Sequence, residues 1–120
     1  MTDQSKMTAL PDGTIEWRLP NGELHRRGGP AFVRPNGAEA WWQHGELHRD
    51  YGPAITHSDG TQAWYQNGKL HRVDGPAVAY SDGTREWWIN GAQVTEFEHA
   101  VVARAHALAE QGRPNTMPQS

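Results

Sequence analysis

One short unit recurs along this chain, and that recurrence limits the folds open to it more than any other feature. The turn dipeptides Asp12-Gly13, Asn36-Gly37, Asp59-Gly60 and Asp82-Gly83 follow one another at a constant interval, except that the first interval is longer by one position. Four positions after each of these glycines stands a tryptophan: Trp17, Trp41, Trp64 and Trp87. The next position is Trp42, Tyr65 or Trp88 in three units and Arg18 in the first. A second turn follows at Asn21-Gly22, His44-Gly45, Asn67-Gly68 and Asn90-Gly91. Leu-His-Arg then recurs as Leu24-His25-Arg26, Leu47-His48-Arg49 and Leu70-His71-Arg72. Gly-Pro-Ala closes the unit as Gly29-Pro30-Ala31, Gly52-Pro53-Ala54 and Gly75-Pro76-Ala77. One additional residue near Leu19-Pro20 accounts for the longer first unit. Such a period means one supersecondary unit, used about three and a half times, whose core forms between neighbours.

Each unit translates into backbone. Asp-Gly and Asn-Gly predict two-residue hairpin turns in which both central residues take positive φ. The segments between them carry β-branched and aromatic residues that suit a pleated surface. Gly-Pro interrupts pairing, because proline donates no ladder hydrogen bond. The expected fold is mainly β: an antiparallel hairpin-repeat meander of about seven to eight strands without crossover helices, closed by one C-terminal capping helix. Equivalent positions then lie two strands apart, about 9–10 Å. The four repeated Trp are expected to form a ladder, with Leu24, Leu47 and Leu70 between them. By alternation Trp42, Tyr65 and Trp88 point to the opposite face.

From Thr95 the pattern becomes helical. Thr95-Glu96-Phe97-Glu98 reads as a capping box, and Phe97, Val101, Ala105 and Leu108 form an apolar stripe. Gly112 and Pro114 mark the end. The stripe is expected to cover the last hairpin and protect a sheet edge, with a dimerisation helix as the alternative. The chain thus divides into a flexible tail over 1–11, a repeat domain over 12–94, a helix over 95–112 packed on the last repeat, and a flexible tail over 113–120.

Composition agrees once the repeat is recognised. Leu, Ile, Val and Phe supply only 17 of 120 residues, a level typical of disordered chains when net charge is high. Six Trp, three Tyr and a net charge of −3 oppose that reading. Aromatic side chains bury about 150–250 Å² each, so a few replace many aliphatics. The absence of Cys excludes disulfides, a cysteine nucleophile and thiolate metal sites. No apolar run approaches the roughly 20 residues of a membrane span and no signal peptide is evident, so a cytoplasmic location is expected. Eleven basic against 14 acidic residues argue against nucleic acid as the partner.

The motif Asp-Gly-Thr-x-x-Trp-Trp-x-x-Gly-x-Leu-His-Arg-x-x-Gly-Pro-Ala resembles the short β-hairpin repeats of small phage, prophage and giant-virus proteins, distantly MORN-like. The likeness spans about residues 12–98 and includes the closing run Trp87-Trp88-Ile89-Asn90-Gly91-Ala92-Gln93-Val94-Thr95-Glu96-Phe97. Arg18, His44 and Asn36-Gly37-Ala38 depart from it. The resemblance implies a phage or mobile-element origin and a host-cell setting, and it implies no shared activity.

The polar side chains offer little for chemistry. His25, His48 and His71 recur in register, but zinc needs its ligand nitrogens at about 2.0–2.1 Å and positions two strands apart do not converge. Each is expected to bond the backbone of its Gly-Pro corner. Arg26, Arg49 and Arg72 are expected to pair with Glu23, Glu46, Asp50 and Asp74. His99 and His106 read as part of a solvated helical face. Neither a nucleophile constellation nor a phosphate loop is present, so no catalytic residue, cofactor or metal is assigned. Trp, Tyr and Arg dominate binding hot spots, which makes Trp42, Tyr65, Trp88, Arg49 and Arg72 the candidate contacts for a host protein or complex. The expected function is a non-enzymatic protein-binding role; the resemblance, with the small size of the chain, implies its most concrete version, an inhibitor of a host defence component in the manner of an anti-CRISPR protein. The chain would act as a monomer or homodimer. The alternative is a structural or virion-associated protein that oligomerises.

Overall fold

Turn chemistry sets the strand boundaries, and the two turns of a unit differ in kind. In the computed structural model, which describes residues 3–112, only the glycine has positive φ at Asp12-Gly13, Asn36-Gly37, Asp59-Gly60 and Asp82-Gly83. Each of these glycine N–H groups donates to a carbonyl three positions back: Leu10, Arg34, His57 or Tyr80. The Asp or Asn side-chain oxygen accepts from the N–H two positions on, at Thr14, Ala38, Thr61 or Thr84. This is a three-residue loop, a type I turn closed by a left-handed glycine, and not the expected two-residue turn. The second turn does have two residues: φ is 49° and 79° at His44-Gly45, 51° and 82° at Asn67-Gly68, and 49° and 85° at Asn90-Gly91. Asn21-Gly22 is again a three-residue loop. Gly22 N–H donates to Leu19 O and Asn21 Oδ1 accepts from Glu23 N–H, with Pro20 as the extra residue of the first unit.

Thirteen short strands result among the described residues. They are β1 (Lys6–Ala9), β2 (Ile15–Arg18), β3 (Phe32–Val33), β4 (Glu39–Ala40), β5 (Trp42–Gln43), β6 (Glu46–Leu47), β7 (Ile55–Thr56), β8 (Gln62–Ala63), β9 (Tyr65–Gln66), β10 (Lys69–Leu70), β11 (Val78–Ala79), β12 (Arg85–Ile89) and β13 (Ala92–Val94), followed by α1 (Glu96–Gly112). Nine form one open antiparallel sheet in the order β1-β2-β3-β4-β7-β8-β11-β12-β13. The pairs β5–β6 and β9–β10 form separate two-stranded ribbons. The expected seven or eight continuous strands are divided because the chain changes partner at the repeated Trp. Trp41 N–H donates to Ala54 O in the main sheet, while Trp41 O accepts from His48 N–H on the return arm of its own hairpin. Trp64 does the same with Ala77 and His71.

Residues 6–9 correct the expectation of a flexible N-terminal tail, since β1 pairs with β2 from Lys6↔Arg18 to Ala9↔Ile15. The first Asp-Gly turn brings the chain back along β2 and so places these residues in register. The expected tail over 113–120 lies outside the described residues.

The molecule is a slab of 52 × 42 × 21 Å with a radius of gyration of 17.1 Å, against about 14 Å for a compact domain of this length. Its core is correspondingly thin. Ala31, Ala54 and Ala77, the alanines of Gly-Pro-Ala, are wholly buried, joined by Ala63 and Val78. Among the described residues no large side chain is fully buried. The leucines do not fill a Trp ladder as expected. Leu47 lies directly across from Trp42 and Leu70 directly across from Tyr65, and opposed residues of an antiparallel pair share a face.

The helix begins with the expected capping box: Thr95 N–H donates to Glu98 Oε1 and Glu98 N–H to Thr95 Oγ1. Its packing reverses expectation. Phe97, Val101 and Leu108 are 77%, 54% and 53% exposed, whereas His99 is 4% exposed against the sheet. Among the described residues no helix is long and apolar enough to cross a membrane.

Candidate functional site

The side chains of Leu-His-Arg and Gly-Pro-Ala tie one unit to the next, and their geometry is the same in each unit. His25, His48 and His71 each accept a backbone N–H on Nδ1, from His44, Asn67 and Asn90 respectively, at 2.9–3.0 Å. The donor in every case is the first residue of the next unit's two-residue turn, and not the Gly-Pro corner as expected. That turn leaves the N–H unpaired within its own hairpin, so the histidine satisfies it. Acceptance on Nδ1 fixes the neutral tautomer with hydrogen on Nε2. His48 Nε2–H then donates to Asp50 Oδ1 at 2.9 Å.

The arginines lie on the repeated tryptophans. Arg26, Arg49 and Arg72 place Cζ 4.2, 3.8 and 3.7 Å from the ring centroids of Trp17, Trp41 and Trp64. Each Nη1 donates to the carbonyl of the unit's proline: Pro30, Pro53 or Pro76. A Cβ on Gly29, Gly52 or Gly75 would come within 2.6–2.7 Å of the same Cζ. The closing motif is therefore explained position by position. Glycine makes room for the guanidinium, proline lends its carbonyl, and alanine fits the buried seam. Of the expected acidic partners, Asp74 does bind Arg72 Nε at 2.8 Å, and that hydrogen bond holds the Asp74 carboxyl below the usual carboxylate range. What all three arginines share is the proline carbonyl and the stack on Trp, the latter worth roughly 0.5–2 kcal/mol.

Two clefts open beside these stacks. The smaller, of about 240 Å³, is lined by Gly28, Trp41, Gln43, Arg49, Asp50 and Tyr51. The larger, of about 700 Å³, contains the equivalent residues of the next unit: Tyr51, Trp64, Gln66, Arg72, Val73 and Asp74. They are one groove repeated, and the larger gains its extra wall from His106 of α1. Tyr51 borders both and is 92% exposed. Trp41 Nε1, on the floor of the smaller groove, is buried with no hydrogen-bond partner among the described residues.

The five sequence-predicted contacts divide between two settings. Arg49 and Arg72 line the grooves. Trp42, Tyr65 and Trp88 are half-buried and line neither groove. Trp88 Nε1–H donates to Glu86 Oε1 at 2.9 Å. Tyr51 escapes a reading of the sequence because its position is not repeated: Gly28 and Asp74 are its counterparts. An aromatic residue at an otherwise variable turn position is the one signal that points to it.

The last junction departs from the rest. In the middle of the array, Gln66 Nε2–H donates to Arg49 O at 2.8 Å. The counterpart of Gln66 in the next unit is Ile89, which has no donor. There His99 Nε2–H donates to Arg72 O at 2.6 Å instead. The counterpart of Arg72 in the next unit is Thr95, too short to cover Trp87, and the His99 ring lies 6.4 Å from the Trp87 ring. One histidine thus replaces two lost repeat contacts, which corrects its reading as a solvated residue.

No family model, curated protein or solved structure matches the chain.

Proposed function

We propose that the chain is a non-enzymatic protein-binding module that contacts its partner through the repeated groove and the Tyr51 ridge. The observation that carries this reading is Tyr51, 92% exposed between two register-equivalent grooves floored by Arg-stacked Trp. A tyrosine offers a large contact area for only two side-chain torsions to be fixed on binding, and Trp, Tyr and Arg are the residues that anchor interfaces. Trp41 Nε1, buried on the floor of the smaller groove without a hydrogen-bond partner among the described residues, adds a donor at this surface. In the phage or mobile-element setting implied by the repeat resemblance, the partner is a host protein. The most concrete version is a defence component that the chain inhibits. Trp42, Tyr65 and Trp88 are the second candidate anchor set.

The test is affinity capture from host lysate with the wild type, Tyr51→Ala and, as a control on exposed surface away from the grooves, Met7→Ala. One protein enriched by the wild type and by Met7→Ala but not by Tyr51→Ala supports the reading. Equal capture by Tyr51→Ala removes the groove from it and directs attention to Trp42, Tyr65 and Trp88. Capture of nothing by the wild type defeats the protein-binding reading itself.

A further inference from the structure

The helix is held to the sheet through His99, with Ala103 half-buried one turn on, and its apolar stripe is left exposed. At about 100° per residue, His99, Ala103 and His106 fall on one face of α1. His99 is buried and His106 walls the larger groove. Phe97, Val101, Ala105 and Leu108 fall on the opposite face, with Phe97 77% exposed and Val101 and Leu108 more than half exposed. Large apolar side chains aligned on one exposed face mark an interaction surface. The sheet does not cover this stripe, because His99 commits the other face to Arg72 O and Trp87.

We propose that this stripe is covered by the same stripe of a second copy, with the two helices antiparallel about a twofold axis near residues 102–103. Three features select this occupant and this direction. The stripe is complementary to itself: in the antiparallel register Phe97 faces the other copy's Leu108, so a large residue meets a large one at each end. Arg104 lies within the stripe, between Val101 and Leu108. A parallel pair would set Arg104 against its own copy in a low-dielectric seam, which like charges disfavour. The antiparallel pair sets it against Val101, its stem over the valine and its charge at the solvent edge of the seam. The acidic first turn, Glu96 and Glu98, is likewise kept from its own copy and brought toward the half of the helix that carries Arg104. A 17-residue helix is about 25 Å long, which gives less contact than the roughly 800 Å² per partner of a standard interface. The dimer is therefore a weak one, formed at tens to hundreds of micromolar, and it is independent of the groove that binds the partner.

Sedimentation of the full chain between about 5 µM and 500 µM tests the dimer. The expected result is a concentration-dependent shift from monomer to dimer that Val101→Arg abolishes by setting like charge against the other copy's Arg104, with an unchanged circular dichroism spectrum because Val101 is exposed. A chain that stays monomeric at 500 µM, or a dimer indifferent to Val101→Arg, overturns the proposal and assigns the stripe to some other partner. Direction is tested by cross-linking, which the lack of native cysteine makes clean. An oxidised mixture of Phe97→Cys and Leu108→Cys should yield the mixed disulfide, whereas Leu108→Cys alone should not link to itself. Efficient self-linking of Leu108→Cys would overturn the antiparallel arrangement.

Discussion

The junctions inside the array and the junction between array and helix solve the same problem with different residues. Inside the array the contacts come from the repeat pattern: each arginine guanidinium lies on a repeated Trp, and Gln66 donates to Arg49 O. At the end of the array the pattern supplies Ile89 and Thr95, and His99 stands in for both missing side chains. Polar complementarity, and not apolar patterning, therefore decides how this helix docks. A donor is needed at Arg72 O, and a buried carbonyl left unpaired costs about 1–3 kcal/mol. Turning the Phe97 stripe inward would forfeit that bond.

The contrast between the two kinds of junction is tested most strongly by filling space on each side of it. Ala54 is wholly buried between neighbouring units. Ala54→Leu is expected to cost about 3 kcal/mol through overpacking, read as a lowered midpoint in urea. Ala105→Leu, on the exposed helix stripe, is expected to stay within about 0.5 kcal/mol of the wild type. Equal effects would mean that the stripe is packed and that the helix docks as its amphipathicity alone suggests.

Second in size is His99 itself. His99→Ala leaves Arg72 O without its donor and should cost about 2 kcal/mol, with the helix becoming the first site of proteolytic cleavage. His99→Gln should recover much of the loss, because a Gln side chain is what the array uses on Arg49 O. Failure of Gln to improve on Ala would show that the imidazole acts through its contact with Trp87 and not through the hydrogen bond.

Both substitutions fall where the sequence is hardest to read. The hairpin array is legible, because turn dipeptides and Trp recur at fixed offsets and each has a local backbone meaning. The capping box is legible for the same reason. Choices between partners separated in sequence are not. The histidines' target, the turn N–H of the next unit, lies 19 residues away. The helix stripe is visible in the sequence, but its direction depends on Ile89 and Thr95 being unable to continue a pattern of contacts that exists only in three dimensions. The grooves are half legible. Arg49 and Arg72 stand out by their recurrence, whereas Tyr51 stands at a position where the repeat varies and so carries no periodic signal.

A smaller effect, about 1 kcal/mol, is expected at the stacks. Gly75 does not have positive φ, so a substitution there acts through space alone. Gly75→Ala should displace the Arg72 guanidinium from Trp64 and cost about as much as Arg72→Ala, within the range of one cation–π contact. The double variant should cost little more than either single one, since both remove the same interaction. Additive costs in urea denaturation would mean that the glycine serves the backbone and not the arginine.

The smallest effect is a slope with pH. Burial lowers the pKa of His25, with His44 and Arg27 adding to the effect and Asp3 and Glu23 opposing it. Burial likewise lowers that of His71, helped by His106 and His99. Both rings accept an N–H on Nδ1, and protonation there would replace an acceptor by a donor. A base whose folded pKa lies below its unfolded value, about 6.5, binds fewer protons folded than unfolded at pH values below that point. Stability is then complete above about pH 7 and falls as the pH drops through 6.5 toward the folded pKa. Asp3 contributes in a separate window. Burial works against its charge, but N–H groups of Arg27 and Ser5 outweigh it and hold the carboxyl at about 2, so this contribution fades only between about pH 4 and pH 2. Urea midpoints measured from pH 7.5 to 5 should decline, and His71→Gln should flatten the decline in that range while leaving the acid limb in place. A profile that is flat from pH 7.5 to 5 would mean that protonation of these rings is not coupled to folding, and one that rises as the pH drops would mean that the histidines tie the units together in their charged form, by a geometry other than acceptance at Nδ1.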